Sequence, residues 1–363
     1  MKKVLSMLLA ATMLLSALAG CGSEPAPAPE SENPSEAAPS QEAPKEENNA
    51  DSVKASYLEG ADKVVVNEDS ETFTDANGEE MTVKKHPEKP AILYASFTTL
   101  WYEAGGKAMG VIGGDTSVDL YNEYIGRDIT KDEGVNVLAT SGSGKKWDVE
   151  TIIASQPDLI IVSTAMSGYA TIKEPANAAS IPVIAVDYDN FSDYLKWFKV
   201  FCNLTGNPDL WESVALKSLD EVVATVSSVP TENNPKVFSM FSGSKSLQAN
   251  TANTVVGGMI NELGASNIVD AWENPESATR LDINLETVVA ADPDIILVQC
   301  HAGAEDAEAQ VKEIYGENEV WNSLRAVKEG KVFYLEKALF HNKPNSRFSE
   351  AYKVMSDILY PAA

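Results

Sequence analysis

The sequence predicts an α/β protein of two similar lobes in tandem, each built on a central, mostly parallel sheet, with one long helix joining them. Three observations carry that expectation. From about residue 91 onward, short apolar strands alternate with helical patterns, as βαβ units do. A stretch of the first half returns in the second: Asp148 to Val162 reads DVETIIASQPDLIIV, and Asn284 to Val298 reads NLETVVAADPDIILV. Between the copies, Asp209 to Val226 (DLWESVALKSLDEVVATV) places apolar residues at helical spacing over a length that suits a connector.

The 363 residues allow two or three domains with a substantial core. Fifty-four acidic against 28 basic residues give a net charge of −26, which speaks against nucleic acid and against a basic grip on anionic lipid. Three cysteines are too few for a disulfide scaffold, and three histidines argue against a multi-histidine metal centre.

Taken in order, Lys2 and Lys3 precede an apolar run from Val4 to Leu18, the pattern of a secretory leader over residues 1–20. Leu18-Ala19-Gly20-Cys21 resembles the bacterial lipobox. That resemblance implies a diacylated Cys21 that anchors the protein to a membrane without spanning it. Residues 21–56 hold six of the eighteen prolines among Glu, Ala, Ser and Asn, and read as a disordered linker. Removing the leader leaves −28. The linker, with eight acidic and two basic residues, carries six of those charges, so −22 falls on the body.

The body is expected as an N-terminal lobe (57–205), a connecting helix (206–229) and a C-terminal lobe (230–363). Thr72 to Val83 reads as a hairpin turning at Asn77-Gly78. Ala91 to Ala95 is a strand, Thr99 to Ala108 a helix, and Met109 to Ile112 the next strand. In the duplicated stretch, each copy opens on an N-cap residue (Asp148, Asn284), runs about two turns, breaks at Pro-Asp and enters an apolar strand. A period of 136 residues is too long for a solenoid and suits two lobes, with a cleft between them as the natural ligand site.

The order of these features resembles the bacterial substrate-binding proteins for iron complexes and vitamin B12. The likeness covers about Thr72 to Pro361 and includes the opening PEKPAILYASFTTLWYEAGG, both repeat copies and the ending KPNSRFSEAYKVMSDILYP. It implies a class III substrate-binding fold, two Rossmann-like lobes on a backbone helix. It further implies an extracytoplasmic lipoprotein that delivers a ferric siderophore, or alternatively haem or cobalamin, to an ABC permease dimer with its ATPase subunits. A monomer without intrinsic cofactor is expected, the metal belonging to the ligand. In that family one exposed glutamate per lobe pairs with permease arginines; Glu150 and Glu286 occupy the matching places. Stability alone would also account for them, since a first-turn carboxylate complements the helix dipole.

Ligand contacts are expected on loops after the strands. Phe97 and Thr98 fall in one such loop, Ser96 to Thr99; Trp147 and Tyr169 offer faces for a planar or greasy ligand, and Lys145, Lys146, Lys245, Arg280, Lys343 and Arg347 offer positive charge. His301, His341 and Asn342 follow late strands, and either histidine is a candidate metal ligand. Cys202 reads as a buried thiol, with a Cys202–Cys300 disulfide as the alternative. Gly142-Ser-Gly-Lys145 lacks the spacing of a phosphate loop, and no Gly-x-Ser-x-Gly elbow or His-Glu-x-x-His helix occurs. An enzyme is therefore not expected; the alternative of another class is a cell-surface metal-dependent hydrolase.

Overall fold

Residues 50–141, 147–232 and 234–362 are described by the computed structural model. A helix over Ala50–Asp62 comes first, so ordered structure begins inside the segment expected to be linker. Its Tyr57 and Ala61 are buried, which gives this polar sequence enough apolar contact to stay folded. Three antiparallel strands follow: β1 (Val65–Val66), β2 (Ser70–Thr74) and β3 (Glu80–Lys84). The β2–β3 turn is held by Asp75, whose carboxylate accepts from the backbone N–H of Asn77 (2.8 Å) and Glu79 (3.0 Å), and Gly78 supplies the positive φ of 79°.

The N-terminal lobe is built on β4 (Pro90–Ile92), β5 (Gly110–Ile112), β6 (Asn136–Ala139), β7 (Leu159–Ser163) and β8 (Val183–Val186), all parallel, in the order β6-β5-β4-β7-β8. The first lobe helix runs over Ala95–Glu103, earlier than expected. The chain turns into it directly after β4, and Gly105, at φ 80°, closes it.

In the C-terminal lobe, β9 (Lys236–Ser242), β10 (Leu247–Asn250), β11 (Ser266–Asn267), β12 (Arg280–Asp282), β13 (Ile295–Cys300) and β14 (Val332–Leu335) form a mixed sheet. Strands β11, β13 and β14 extend it in parallel, while β10 and β12 add an antiparallel edge.

The two repeat copies occupy equivalent places. Asp148 caps a helix over Val149–Ala154, accepting from the Thr151 N–H; Asn284 caps one over Leu285–Ala291, accepting from Glu286 and Thr287. The following strands, β7 and β13, each sit second to a central strand, β4 and β9. The Pro-Asp aspartates do one job twice. Asp158 accepts from the N–H of Lys89 (2.9 Å), just before β4, and Asp294 from that of Lys236 (2.8 Å), the first residue of β9.

The connector is helical from Asp209, π-wound over Trp211–Leu216 and α-helical over Lys217–Ser228. The last helix, Phe348–Leu359, does not stay with the C-terminal sheet. Its Phe348 packs on Tyr188, Phe191 and Tyr194 of the N-terminal lobe, within one apolar core that also takes in Leu219, Val222, Ile260 and Leu297. Nearby, Glu262 accepts from the phenols of Tyr57 (2.6 Å) and Tyr352. A shared core and a continuous connector resist wide hinge motion. Cys202 and Cys300 are free, buried thiols in separate apolar clusters, so no disulfide joins them.

Candidate functional site

The strand order of the N-terminal sheet reverses between β4 and β7, and the crevice beyond their C-terminal ends is where open α/β sheets take ligands. Tyr94 and Phe97 follow β4 there, Ala165 and Met166 follow β7, and Asp187 and Asp189 follow β8. The C-terminal lobe answers with Thr254, Thr279, Arg280, Gln299, His341 and Lys343 around a cavity of about 220 Å³. A second compartment of about 600 Å³ adjoins it through Tyr94 and His341. It is lined by Gly113 to Ser117, Thr140 and Ser141 on one side and His301, His341 and Asn342 on the other. Gly114 is required at its position: φ is 88°, and a Cβ there would lie 2.6 Å from the Thr140 carbonyl oxygen.

Arg280 starts β12 at the antiparallel edge, which explains its precise aim: a strand fixes it, not a loop. Its guanidinium lies 3.8 Å from the centre of the Phe241 ring, Nε donates to Asn250 (3.3 Å), and an amino group reaches Gln299 at 3.5 Å. Burial pulls its pKa down and nearby Asp189 pulls it back up, but no carboxylate contacts it among the described residues. Lys343 differs. Its ammonium donates to Asp189 (2.7 Å) and to the Tyr188 carbonyl, tying the C-terminal lobe to the N-terminal one. The carboxyl of Asp187 is held above its usual range by the surrounding protein and then by Asp189.

His301 and His341 face each other, Nδ1 to Nε2, at 3.1 Å, with rings at 85°. His341 stacks on Phe241, and its pKa is pushed down to about 4, first by burial and then by His301, Arg280, Lys337 and Lys343. The imidazole is therefore neutral at ordinary pH. Beneath this wall, Asn345 is fully buried at φ 53° and donates its amide N–H to Thr99 (2.9 Å). Its carbonyl accepts from Tyr188 (2.8 Å), and its backbone N–H donates to the same phenol (3.1 Å).

Of the residues singled out from sequence, Phe97, Arg280, His301, His341, Asn342 and Lys343 line the cleft. Thr98 does not; it is fully buried, its hydroxyl turned back onto the Tyr94 carbonyl. Trp147 packs on the N-terminal core with its indole N–H on the Ser141 carbonyl (3.0 Å). Tyr169 begins a helix, accepts from Asn77 (2.5 Å) and packs on the same core. Lys245 is exposed in the β9–β10 hairpin, and Arg347 is held by Glu350 (2.7 Å), with Glu123 and Glu336 at 3.7 Å. Lys145 and Lys146 lie outside the described residues, as does Cys21. Sequence reasoning missed Asp187, Asp189 and the Gly113 to Ser117 turn. The rule that loops follow strand ends would have found them had it been applied to β5 and β8.

Two α/β lobes with a mixed polar and aromatic cleft and a shared core behind it define a ligand-binding protein of the class III periplasmic type. Residues 91–339 match the periplasmic binding protein family, and the chain belongs to it. An uncharacterized ABC transporter substrate-binding lipoprotein of Bacillus subtilis (strain 168), YvrC, is 23% identical over 300 residues, 80% of this chain and 85% of the relative. The iron(3+)-hydroxamate-binding protein FhuD of the same organism is 27% identical over 282 residues, covering 75% and 81%. Among solved structures, Staphylococcus aureus IsdE complexed with heme superposes with a TM-score of 0.58 at 16% identity, covering 75% of this chain and 98% of that one. The chain is thus a substrate-binding protein of an ABC importer, working with a permease and an ATPase, and not an enzyme.

Proposed function

We propose that this protein captures a ferric chelate of low net charge, such as a ferric siderophore of the hydroxamate type, in the interlobe cleft and delivers it to the permease. The charge balance of the cleft carries this reading. Two cations, Arg280 and Lys343, meet two aspartates, Asp187 and Asp189, and one of the cations is already in an ion pair. A net body charge of −22 repels anions from a distance, and among the described residues the cleft offers a trianionic chelate no basic pocket to offset that repulsion. The relatives that bind iron(3+)-hydroxamate and Fe(3+)-citrate by name support iron chelates as the class.

Glu150 and Glu286, exposed on the first turns of equivalent helices, are the proposed contacts to basic groups of a two-fold permease. Cys21 is the proposed lipid attachment, holding a monomeric body outside the cell membrane. No helix among the described residues is long and apolar enough to cross a membrane. Calorimetric titration of the purified chain against a ferric trihydroxamate, ferric citrate, haem and cobalamin tests the reading. Micromolar or tighter binding of the hydroxamate supports it, while exclusive binding of haem or cobalamin replaces it.

A further inference from the structure

The smaller compartment of the cleft holds two opposite charges that do not pair with each other. On the N-terminal wall, Asp187 follows β8 at an exposed position. Its carboxylate accepts from the backbone N–H of Tyr188 (3.0 Å), with the Thr164 side chain beside it. Among the described residues no lysine or arginine pairs with it; the nearby ammonium of Lys343 is taken by Asp189 at 2.7 Å. The Asp189 N–H in turn donates to a third carboxylate, Asp193 (3.2 Å), so this wall carries more acid than its one lysine offsets. On the C-terminal wall, Arg280 is fixed by Phe241, Asn250 and Gln299 and also lacks an ion pair. His341 beside it is neutral, so the positive charge of that wall is confined to the guanidinium and Lys343. Among the described residues no three His, Cys, Asp or Glu side chains converge as a metal site, so the acid wall is not arranged for a free metal ion. It remains suited to an organic cation.

We propose that Asp187 selects chelates that carry a protonated amine, whose arm enters the smaller compartment and sets its ammonium on the Asp187 carboxylate. This rests on the ferric-chelate reading and deepens it, from a low net charge to a definite pattern of charge on the cargo. The dimensions of the cleft agree. The compartment of about 220 Å³ suits a slender arm, and the adjoining one of about 600 Å³ suits the bulkier metal-bearing part, between neutral polar groups such as Thr140, Ser141 and Asn342. A primary ammonium is a compact charge with three donors, which a single carboxylate and its neutral neighbours can satisfy. Arg280 repels the same group from the opposite wall, so the arm has one orientation. A charge-assisted hydrogen bond at a partly exposed carboxylate is worth about a factor of ten in affinity.

The test compares two linear ferric trihydroxamates on the full chain by calorimetry, one ending in a free amine and the other in the N-acetylated amine. The wild type is expected to bind the free amine about tenfold more tightly and to keep most of that preference at high salt, because a direct contact is screened less than the long-range field of an acidic body. Asp187→Asn retains an acceptor for the Tyr188 N–H and should abolish the preference. Glu313→Gln removes one negative charge at an exposed position on the helix Ala304–Tyr315, away from the cleft, and should keep it. Three results overturn the proposal and leave the ferric-chelate reading standing: equal binding of the two chelates by the wild type, an undiminished preference in Asp187→Asn, or an equal loss of preference in Glu313→Gln. Binding of neither chelate overturns both.

Discussion

Asp189→Asn is the sharpest probe of the charge balance, because one substitution changes the field felt by both cleft cations. Asp189 holds Lys343 at 2.7 Å and faces Arg280. A unit negative charge bound beside those cations, roughly 7 Å from Asp189, is repelled by about 2 kcal/mol at an effective dielectric constant near 20. The aspartate side chain is 47% exposed, so solvent screening reduces this to about 1 kcal/mol per unit of ligand charge. Removing the carboxylate should therefore tighten binding roughly fivefold per negative charge, about a hundredfold for a trianionic tris-catecholate, and leave a neutral trihydroxamate without this gain. Loss of the interlobe ion pair alone is worth about 1 kcal/mol and acts on both chelates alike. Calorimetric titration of the two ferric chelates at low and high salt measures the difference directly. Two results would refute the reasoning: a wild type that prefers the trianion, or a variant in which both chelates shift by the same factor.

Other outcomes follow from the same structure. Glu71 and Glu103 are pushed up to about 8 and about 7, chiefly by burial, so the folded state keeps protons that the unfolded chain has released above its ordinary value of 4.5. Stability is then complete below about pH 4.5 with respect to these groups and falls as pH rises toward 7, by up to about 1.4 kcal/mol per pH unit for each. Glu71→Gln should roughly halve that slope in urea unfolding between pH 5 and 7, and a wild type flat over this range contradicts the assignment. Asn345→Ala leaves the Tyr188 phenol and the Thr99 hydroxyl short of partners, and should cost about 2–4 kcal/mol of unfolding free energy. Glu150→Ala combined with Glu286→Ala should leave chelate affinity unchanged and abolish uptake in cells; collapse of affinity would remove the docking role.

What was legible in the sequence is what periodicity and local chemistry determine. The duplicated Glu-helix-Pro-Asp-strand unit could be read because cap, turn and apolar strand are all local, and each copy contains its own complete signal. The same holds for the hairpin, whose turn Asp75 and Gly78 fix within five residues. Ordered residues 50–56 were hidden because the helix there owes its stability to distant partners: Lys54 pairs with Asp220, and Tyr57 with Glu262. Cleft membership was harder still. Arg347 and Arg280 look alike in sequence, but three glutamates converge on the first and none on the second. Thr98 and Phe97 are neighbours on one helix, and its rotation alone puts the ring at the cleft and the hydroxyl on its own backbone.

The duplication also explains where specificity resides. The positions that the two copies share serve the framework of each lobe: a capping side chain, a first-turn glutamate, an aspartate clamping the neighbouring central strand, and the strand interior. Of these, Glu150 and Glu286 are the proposed contacts to a two-fold permease, where equivalence would be useful. The cleft walls have no such equivalence. The N-terminal wall supplies carboxylates and the turn at Gly114, while the C-terminal wall supplies Arg280, Lys343 and the paired imidazoles. A ligand between them meets acid on one face and base on the other, so a symmetric highly charged chelate is mismatched on one side whichever sign it carries. Long-range repulsion by the body and short-range balance in the cleft thus act in the same direction, toward a cargo of low net charge.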